Sequence, residues 1–580
     1  MSSQPRLRSQ RWFEAKGVPG LFHRAYLKSE GISDQAFRNR PVIGILNPWS
    51  ELVNCHSHFR GMADAVRRGV LQAGGMPLEF PTMSLGEVFM KPTTMLFRNL
   101  MAMDAEETIR ANPLDAVVLL AGCDKTIPAA LMGAASVDLP AIMITGGPTE
   151  PAVFCGRHLG GATDVWRFTD DLRAGRMSQA DYDRLESALV PSTGHCPEMG
   201  TASTMSALAE GLGLALPGSA AIPAVDARRN AMAEATGRQA VQLAIQDVRP
   251  SSILTDEAFD NAITLLMALG GSTNAVIHLL ALAGRVGVGL NLRRFDELSQ
   301  RTPVLVNVRP SGEFLVEQLF HAGGIPAVLN ELQPLLHLGA ATVTGSSIGE
   351  NIRDARVTDA RVITPLSSPI SPVGSIAVLH GNLAPDGAVI KTSAAAPELL
   401  RHKGPAVAFE DIDDLARRID DPELDVAAES VLVLRNAGPK GAPGMPEWGH
   451  LPIPKKLLRA GVTDMVRLSD ARMSGTAFGT IVLHISPEAA IGGPLGLVRD
   501  GDLIELDVPA RRLHLEVPAT ELERRAAASR PRPRHYRRGY GAIYLDHVMQ
   551  ADKGCDFDVL RKLDGEPSER DPIGLDSAPH

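Results

Sequence analysis

Short apolar runs alternate with amphipathic stretches through the first third of the chain. Residues 42–46, 77–80, 116–120 and 141–145 read as strands, and 94–111 and 128–135 as helices. The run at 116–120 is apolar without interruption, as a strand buried on both faces of a parallel sheet requires. This strand–helix rhythm predicts a doubly wound parallel sheet. Residue 50, a serine followed by Glu51, is placed to cap a helix start. Residues 156–192 are polar and charged, and predict a helical excursion over the surface. Residues 201–350 are rich in Ala and Leu and predict helices broken by Gly-Ser-Thr loops. The longest uncharged run, 261–284, carries Gly270-Gly271-Ser272-Thr273-Asn274 in its middle. It reads as two buried helices around a loop, not as a membrane span.

The pattern changes near 360–375. Residues 375–379, 406–409, 430–434 and 480–485 read as short strands with β alternation. Asp500-Gly501-Asp502 reads as a turn before paired strands at 503–508 and 513–517. The expected fold class is α/β. A large N-terminal doubly wound domain over 1–370 precedes a C-terminal β-rich, barrel-like domain over 371–580.

Composition narrows the classes. With 44% hydrophobic and 22% charged residues in 580, the chain is neither disordered, collagen-like nor disulfide-stapled. A net charge of −9 argues against nucleic-acid or anionic-membrane partners. The basic run at 530–538 reads as a solvated loop. The first residues hold no apolar core segment, so no secretory leader is expected and a cytoplasmic location is. Glycine and proline are plentiful, at 54 and 42, and many glycines fall in loops after apolar runs, where α/β folds place their sites.

Five cysteines, an odd number without a C-x-x-C pair, are not a disulfide framework. Cys55, Cys123 and Cys196 sit in polar, Gly-flanked loops, a setting that suits iron–sulfur or zinc ligation as well as simple burial. Cys155 and Cys555 have no such context. His56 and His58 beside Cys55 keep zinc open, although the second close ligand pair of a structural zinc module is missing; a packed imidazole or helix-start cap is the plainer role. Asp124-Lys125 follows Cys123, and a carboxylate there suits a hard cation. Glu87 and Glu447 are further loop carboxylates, each readable as merely solvated. Ser474, between Met473 and Gly475, reads as a nucleophile, a base or a turn serine, with no G-x-S-x-G elbow.

Eight ordered segments, 41–55, 119–129, 194–205, 269–278, 343–351, 380–391, 438–447 and 469–480, together with 481–502, resemble the dihydroxy-acid/6-phosphogluconate dehydratase family. The resemblance runs from about residue 40 to 565. It implies that Cys55, Cys123 and Cys196 hold an iron–sulfur cluster, 2Fe-2S in preference to 4Fe-4S, with one iron open to substrate. It implies that Glu87, Asp124 and Glu447 bind Mg²⁺, with Lys125, a lysine that can be carbamylated, as a further ligand and catalytic group. It implies that Ser474 acts as an alkoxide base. The implied reaction removes water from a 2,3-dihydroxy acid to give a 2-keto-3-deoxy acid. Segments 91–100, 469–477 and 544–558 resemble the pentonate/hexonate branch, so a C5 or C6 aldonic acid such as arabinonate or xylonate is the expected substrate. Dihydroxyisovalerate, the substrate of dihydroxy-acid dehydratase proper, is the alternative. A silent cluster-based redox sensor and a zinc hydrolase are alternatives of other classes. His56 stands where the family usually has Asn, and His195 and Pro197 flank Cys196 unusually. A homodimer or homotetramer is implied, with the site between the two domains.

Overall fold

The computed structural model describes residues 7–448, 451–529 and 532–562. Arg530 and Pro531 of the basic run, and 563–580 of the C-terminal unit, lie outside the described residues. Four strands, β1 (Val42–Asn47), β2 (Met76–Pro81), β3 (Ala116–Ala121) and β4 (Ala141–Thr145), form a parallel sheet in the order β2-β1-β3-β4. β1, β3 and β4 are buried along their whole length, which accounts for their unbroken apolar runs. Helices Phe59–Gln72 and Ala227–Gln246 pack together, and helices Met95–Ala111 and Thr126–Val137 pack together. The first pair crosses on glycines: a Cβ on Gly69 would stand 1.9 Å from the Glu234 carbonyl oxygen, and one on Gly237 2.2 Å from that of Val66. The expected pair of buried helices is Asp256–Ala268 and Asn274–Val286.

The helix after β1 begins at Phe59, not near Ser50. The Ser50 hydroxyl instead accepts from the Leu52 main-chain nitrogen, and a 3₁₀ turn over Asn54–His56 intervenes. A short hairpin, β5 (Ala152–Phe154) and β6 (Arg157–Leu159), opens the excursion, followed by helices Gly161–Ala174 and Gln179–Asp183. The longer helix is not confined to the surface. Arg173 donates to the Ile453 carbonyl at 2.9 Å, and Thr163 to that of Thr476 at 2.8 Å.

A closed eight-stranded barrel follows. Its strands are β7 (Ile376–Gly381), β8 (Ala384–Lys391), β9 (Arg401–Phe409), β10 (Val431–Leu434), β11 (Arg467–Ser469), β12 (Ile481–Ser486), β13 (Leu503–Asp507) and β14 (Arg512–Leu515). Their order is β10-β11-β12-β8-β7-β14-β13-β9, with β9 pairing β10 to close it. β8 was not anticipated as a strand, because Pro385, Asp386 and Gly387 interrupt its apolar pattern. Alternation along the strands serves two cores. Ile390, Val433 and Val482 pack in one cluster with the other barrel residues, while Val389, Val378 and Leu483 join the large core of the sheet and helices. The barrel is thus seated on the α/β layer by strand faces that a barrel in water would leave polar. Residues after the barrel return to the first part of the chain: Tyr544, Leu545, Val548 and Phe557 pack with Met95, Leu96 and Ile277. Arg98, fully buried, donates to the carbonyls of Gly554 and Cys555, both at 2.9 Å. In the basic run, Arg532 pairs with Glu410 and Arg534 with Asp546, each at 2.7 Å, as a salt-bridged loop would. Among the described residues no helix is long and apolar enough to cross a membrane.

Candidate active site

In the order β2-β1-β3-β4 the connections run one way from β1 and the other way from β3. The crevice beyond the carboxyl ends of those two strands is where such sheets bind ligands. Cys55 lies in the loop leaving β1 and Cys123 in the loop leaving β3. The loops approach closely: a Cβ on Gly122 would stand 2.5 Å from the Cys55 carbonyl oxygen. The Cys55 thiol beside it, together with burial, pushes the Cys123 thiol well above its usual range. Cys196 arrives on a segment pinned beside the exit of β4, where the His195 N–H donates to the Gly147 carbonyl at 3.0 Å and the His195 carbonyl accepts from Thr149 at 2.8 Å. Cys196 is exposed, and its thiol is within electrostatic reach of Cys55, Asp124, Glu198 and Glu447. Thiols in acidic surroundings ionise only when a cation compensates them, which fits metal ligation better than free nucleophilic chemistry. Cys155 is exposed in the β5–β6 turn, and Cys555 is buried against Met445.

The histidines beside Cys55 are committed elsewhere. His56 is buried, with Nδ1 2.7 Å from the Ser84 hydroxyl and Nε2 3.2 Å from that of Thr126. Burial lowers its pKa to about 3, so it is neutral. His58 Nδ1 is 2.9 Å from the Thr193 hydroxyl and Nε2 3.0 Å from the Gly146 carbonyl. Neither ring has a free nitrogen for zinc. His195, also buried, contacts the Cys196 carbonyl through Nδ1 at 3.0 Å.

The acidic half of the site centres on Lys125, fully buried just after β3. Its Nζ lies 2.9 Å from Glu447, 3.2 Å from Glu87 and closer still to Asp124. Burial and Arg472 push the lysine pKa down, but Asp124, Glu447 and Glu87 outweigh them and hold it protonated. Glu87 accepts from the hydroxyls of Thr93, at 2.9 Å, and Thr94. Against the cost of burial, Lys125, Arg472 and these hydroxyls draw its pKa to about 2. Glu447 arrives from the barrel side, and its Oε1 also accepts from Arg472 at 2.7 Å and Asn274 at 3.0 Å. Three carboxylates from separate loops thus surround one cation. Among the described residues no three His, Cys, Asp or Glu side chains already converge as a metal-ligating group. The ammonium stands among the oxygens instead. The donor set is nonetheless that of a hard divalent ion, all oxygen and net anionic.

Ser474 lies in the loop between β11 and β12, with Gly475 against the N-terminus of helix Thr201–Gly211. Asn274 connects this loop to the acidic group, donating both to Glu447 and to the Met473 carbonyl, the latter at 3.2 Å. The Ser474 hydroxyl is 2.8 Å from that of Thr476 and accepts from the Thr476 main-chain nitrogen at 3.3 Å. The main-chain N–H of Thr476 is thus a donor to the serine oxygen, and in the hydroxyl pair either oxygen can be the donor. Arg472, Asn274, Thr93, Thr94 and Thr476 are not marked out by residue type or spacing, although each lies inside one of the segments that resemble the family. Only the folded chain shows their hydrogen bonds to the acidic group and the serine loop.

The fold thus gathers three carboxylates around Lys125, three cysteines on neighbouring loops and the Ser474 loop at one crevice, an arrangement of the kind an enzyme uses. Two family descriptions account for almost the whole chain. The dihydroxy-acid/6-phosphogluconate dehydratase N-terminal model matches residues 40–351, and the C-terminal model matches 361–555. The chain belongs to this family and is a dehydratase, a hydro-lyase. The family uses an iron–sulfur cluster and Mg²⁺. An L-arabinonate dehydratase of Rhizobium leguminosarum bv. trifolii is 50% identical over 98% of both chains. A 6-deoxy-6-sulfo-D-gluconate dehydratase of Pseudomonas putida is 49% identical over 98% of both. A dihydroxy-acid dehydratase of Ignicoccus hospitalis is 42% identical over 92% of this chain and 97% of its own.

Proposed function

We propose that the protein dehydrates a C5 or C6 aldonic acid to the 2-keto-3-deoxy acid. The observation that carries this reading is the enclosure of Lys125 by Glu87, Asp124 and Glu447, joined through Asn274 to the Ser474 loop. Higher identity to the two sugar-acid dehydratases than to the dihydroxy-acid enzyme supports the substrate class.

Cys55, Cys123 and Cys196 would hold the cluster, 2Fe-2S in preference to 4Fe-4S, and Glu87, Asp124, Glu447 and carbamylated Lys125 would hold Mg²⁺. When bound, these groups supply Lewis acidity to the departing C3 hydroxyl and to the carboxylate and C2 hydroxyl. Ser474, as an alkoxide, removes the C2 proton. The Thr476 hydroxyl and main-chain N–H lower the cost of that alkoxide by donating to it. Arg472 and Asn274 fix Glu447, and Thr93 and Thr94 fix Glu87. The C2–H electron pair forms the C2–C3 double bond as the C3 hydroxyl departs as hydroxide, the proton held on Ser474 passes to that hydroxide to give water and restore the alkoxide, and the enol ketonises. In this reading 1–370 and 371–580 are the two units that enclose the site, the location is cytoplasmic, and the protein is a homodimer or homotetramer. Exposed Val88 and Phe89 beside Glu87 support a covering copy.

The test is keto-acid formation by anaerobically purified, Mg²⁺-supplied protein. The panel holds L-arabinonate, D-xylonate, D-gluconate and 2,3-dihydroxyisovalerate, with Ser474→Ala beside the wild type. Aldonate turnover abolished by Ser474→Ala is expected. Preference for dihydroxyisovalerate would overturn the substrate class, and an active Ser474→Ala the base.

A further inference from the structure

Helix Gly161–Ala174 presents one face to the loop that carries Ser474. The Thr163 hydroxyl donates to the Thr476 carbonyl at 2.8 Å. One turn on, the Trp166 indole N–H reaches the Thr476 hydroxyl oxygen at 3.4 Å. The Arg167 guanidinium lies over the Phe478 ring, 5.3 Å from its centroid. Positions 163, 166 and 167 share a helical face, so the three contacts are one docking event.

The helix is itself held in place. The Thr163 N–H donates to Glu198 at 3.0 Å, and Asp164 accepts from the Gly160 N–H at 2.6 Å and from Arg309 at 2.7 Å. At its far end Arg173 donates to Asp420 at 2.7 Å and to the Ile453 carbonyl, both on the barrel side. The helix therefore spans from the Cys196 segment to the barrel.

A threonine hydroxyl has one proton and two lone pairs, while an indole N–H can only donate. With Trp166 on one lone pair, the Thr476 proton is free to point to Ser474, 2.8 Å away. A serine alkoxide has no proton, so in that state Thr476 must be the donor. We propose that Trp166 is a positioning residue, whose N–H fixes the Thr476 hydroxyl as a donor to Ser474 while Thr163 anchors the Thr476 main chain. Trp166 acts through Thr476 and does not touch the reacting carbon. The inference rests on the reading of Ser474 as the base.

The experiment compares wild type, Trp166→Phe, Thr476→Val and the double variant, each loaded with cluster and Mg²⁺, on L-arabinonate and its C2-deuterated form. A second variant places 3-benzothienylalanine at 166, which exchanges the indole N–H for sulfur at nearly the same shape and so keeps the packing. Both changes at 166 should lower kcat about tenfold with KM unchanged, a loss smaller than direct removal of a donor to a developing oxyanion. The deuterium effect on kcat should rise, because proton removal becomes slower. In the Thr476→Val background the change at 166 should have no further effect. Wild-type kcat for the benzothienyl variant, a rise in KM alone, or additive losses in the double variant would each overturn the inference. Ser474→Ala, run alongside, separates the two readings. If it is active the base assignment falls, and if it is inactive while the 166 variants behave as wild type only the positioning role falls.

Discussion

Gly475 lies so close to Thr201 that a Cβ on the glycine would stand 2.6 Å from the Thr201 main-chain nitrogen and 2.8 Å from the Ser272 hydroxyl oxygen. Here the barrel loop carrying Ser474 meets the first turn of a helix from the α/β layer. The two parts of the chain close on each other at a residue with no side chain. Gly475→Ala must push the loop away. Overpacking of this kind costs about 1–3 kcal/mol, and a misplacement near 1 Å at a reacting group costs about a hundredfold in rate. Gly475→Ala should therefore lose at least about a hundredfold in kcat, with cluster absorbance retained. Steady-state kinetics beside an iron assay check this; a variant within threefold of wild type would remove the steric argument.

Arg472 is fully buried and serves three acceptors at once: Met445 carbonyl at 2.6 Å, Glu447 at 2.7 Å and the Thr93 hydroxyl at 3.1 Å. Arg472→Met leaves Glu447 short of a partner, and breaking a buried pair costs about 3–5 kcal/mol. Denaturant unfolding without Mg²⁺ should show that loss. Added Mg²⁺ should recover part of it by supplying the missing positive charge. Arg472→Lys should not restore the wild type, because one ammonium cannot span the planar fork's three acceptors.

Lys125 is held as an ammonium by the carboxylates around it, and carbamylation requires it to give up that proton to become a carbamate. Mg²⁺ and CO₂ should therefore act together, since the metal replaces the charge that the lysine surrenders. Protein stripped of both should regain full activity only when both return. With ¹³C-bicarbonate and Mg²⁺, a carbamate carbon signal should appear and be missing in Lys125→Arg. Full activity in CO₂-free buffer would rule out the modified lysine.

His56 is buried and neutral, with its pKa lowered to about 3 by burial. The unfolded chain takes up a proton near the ordinary imidazole value while the folded chain does not. The stability this group contributes is thus complete above about pH 6.5 and is lost as pH falls toward 3. At pH 5 the loss is about 2 kcal/mol relative to pH 7. Glu198, Glu210 and Asp470, each raised to about 7 by burial, act in the opposite direction, so the wild-type profile alone does not isolate the histidine. The difference between wild type and His56→Asn does. Urea unfolding at pH 5 and 7 should show the wild type losing stability relative to the variant by about that amount on going from pH 7 to 5; parallel profiles would mean that His56 titrates alike in both states.

The strands β1, β3 and β4 were legible because burial on both faces demands unbroken apolar runs, and that demand is local. β8 was not, because Pro385, Asp386 and Gly387 mask a strand whose remaining residues are divided between two cores. The cysteines, carboxylates and Ser474 were legible as residue types in glycine-rich loops after strands. The folded chain then brings Glu87, Asp124 and Glu447, far apart in sequence, around one lysine. What orients them was not legible. Arg472, Asn274 and Thr476 are ordinary in type, and helix Gly161–Ala174 looks like a solvated surface segment by composition. Its Thr163 and Trp166 matter only because a loop more than 300 positions later lies against them. Periodicity and residue chemistry act over a few neighbours, so the chain order alone determined β1, β3 and β4, the change from an α/β to a β-rich part, and the residue types that stand in the loops after strands. Hydrogen-bond partners depend on which distant surfaces pack together, and that was decided by the closure of the barrel onto the sheet and its helices.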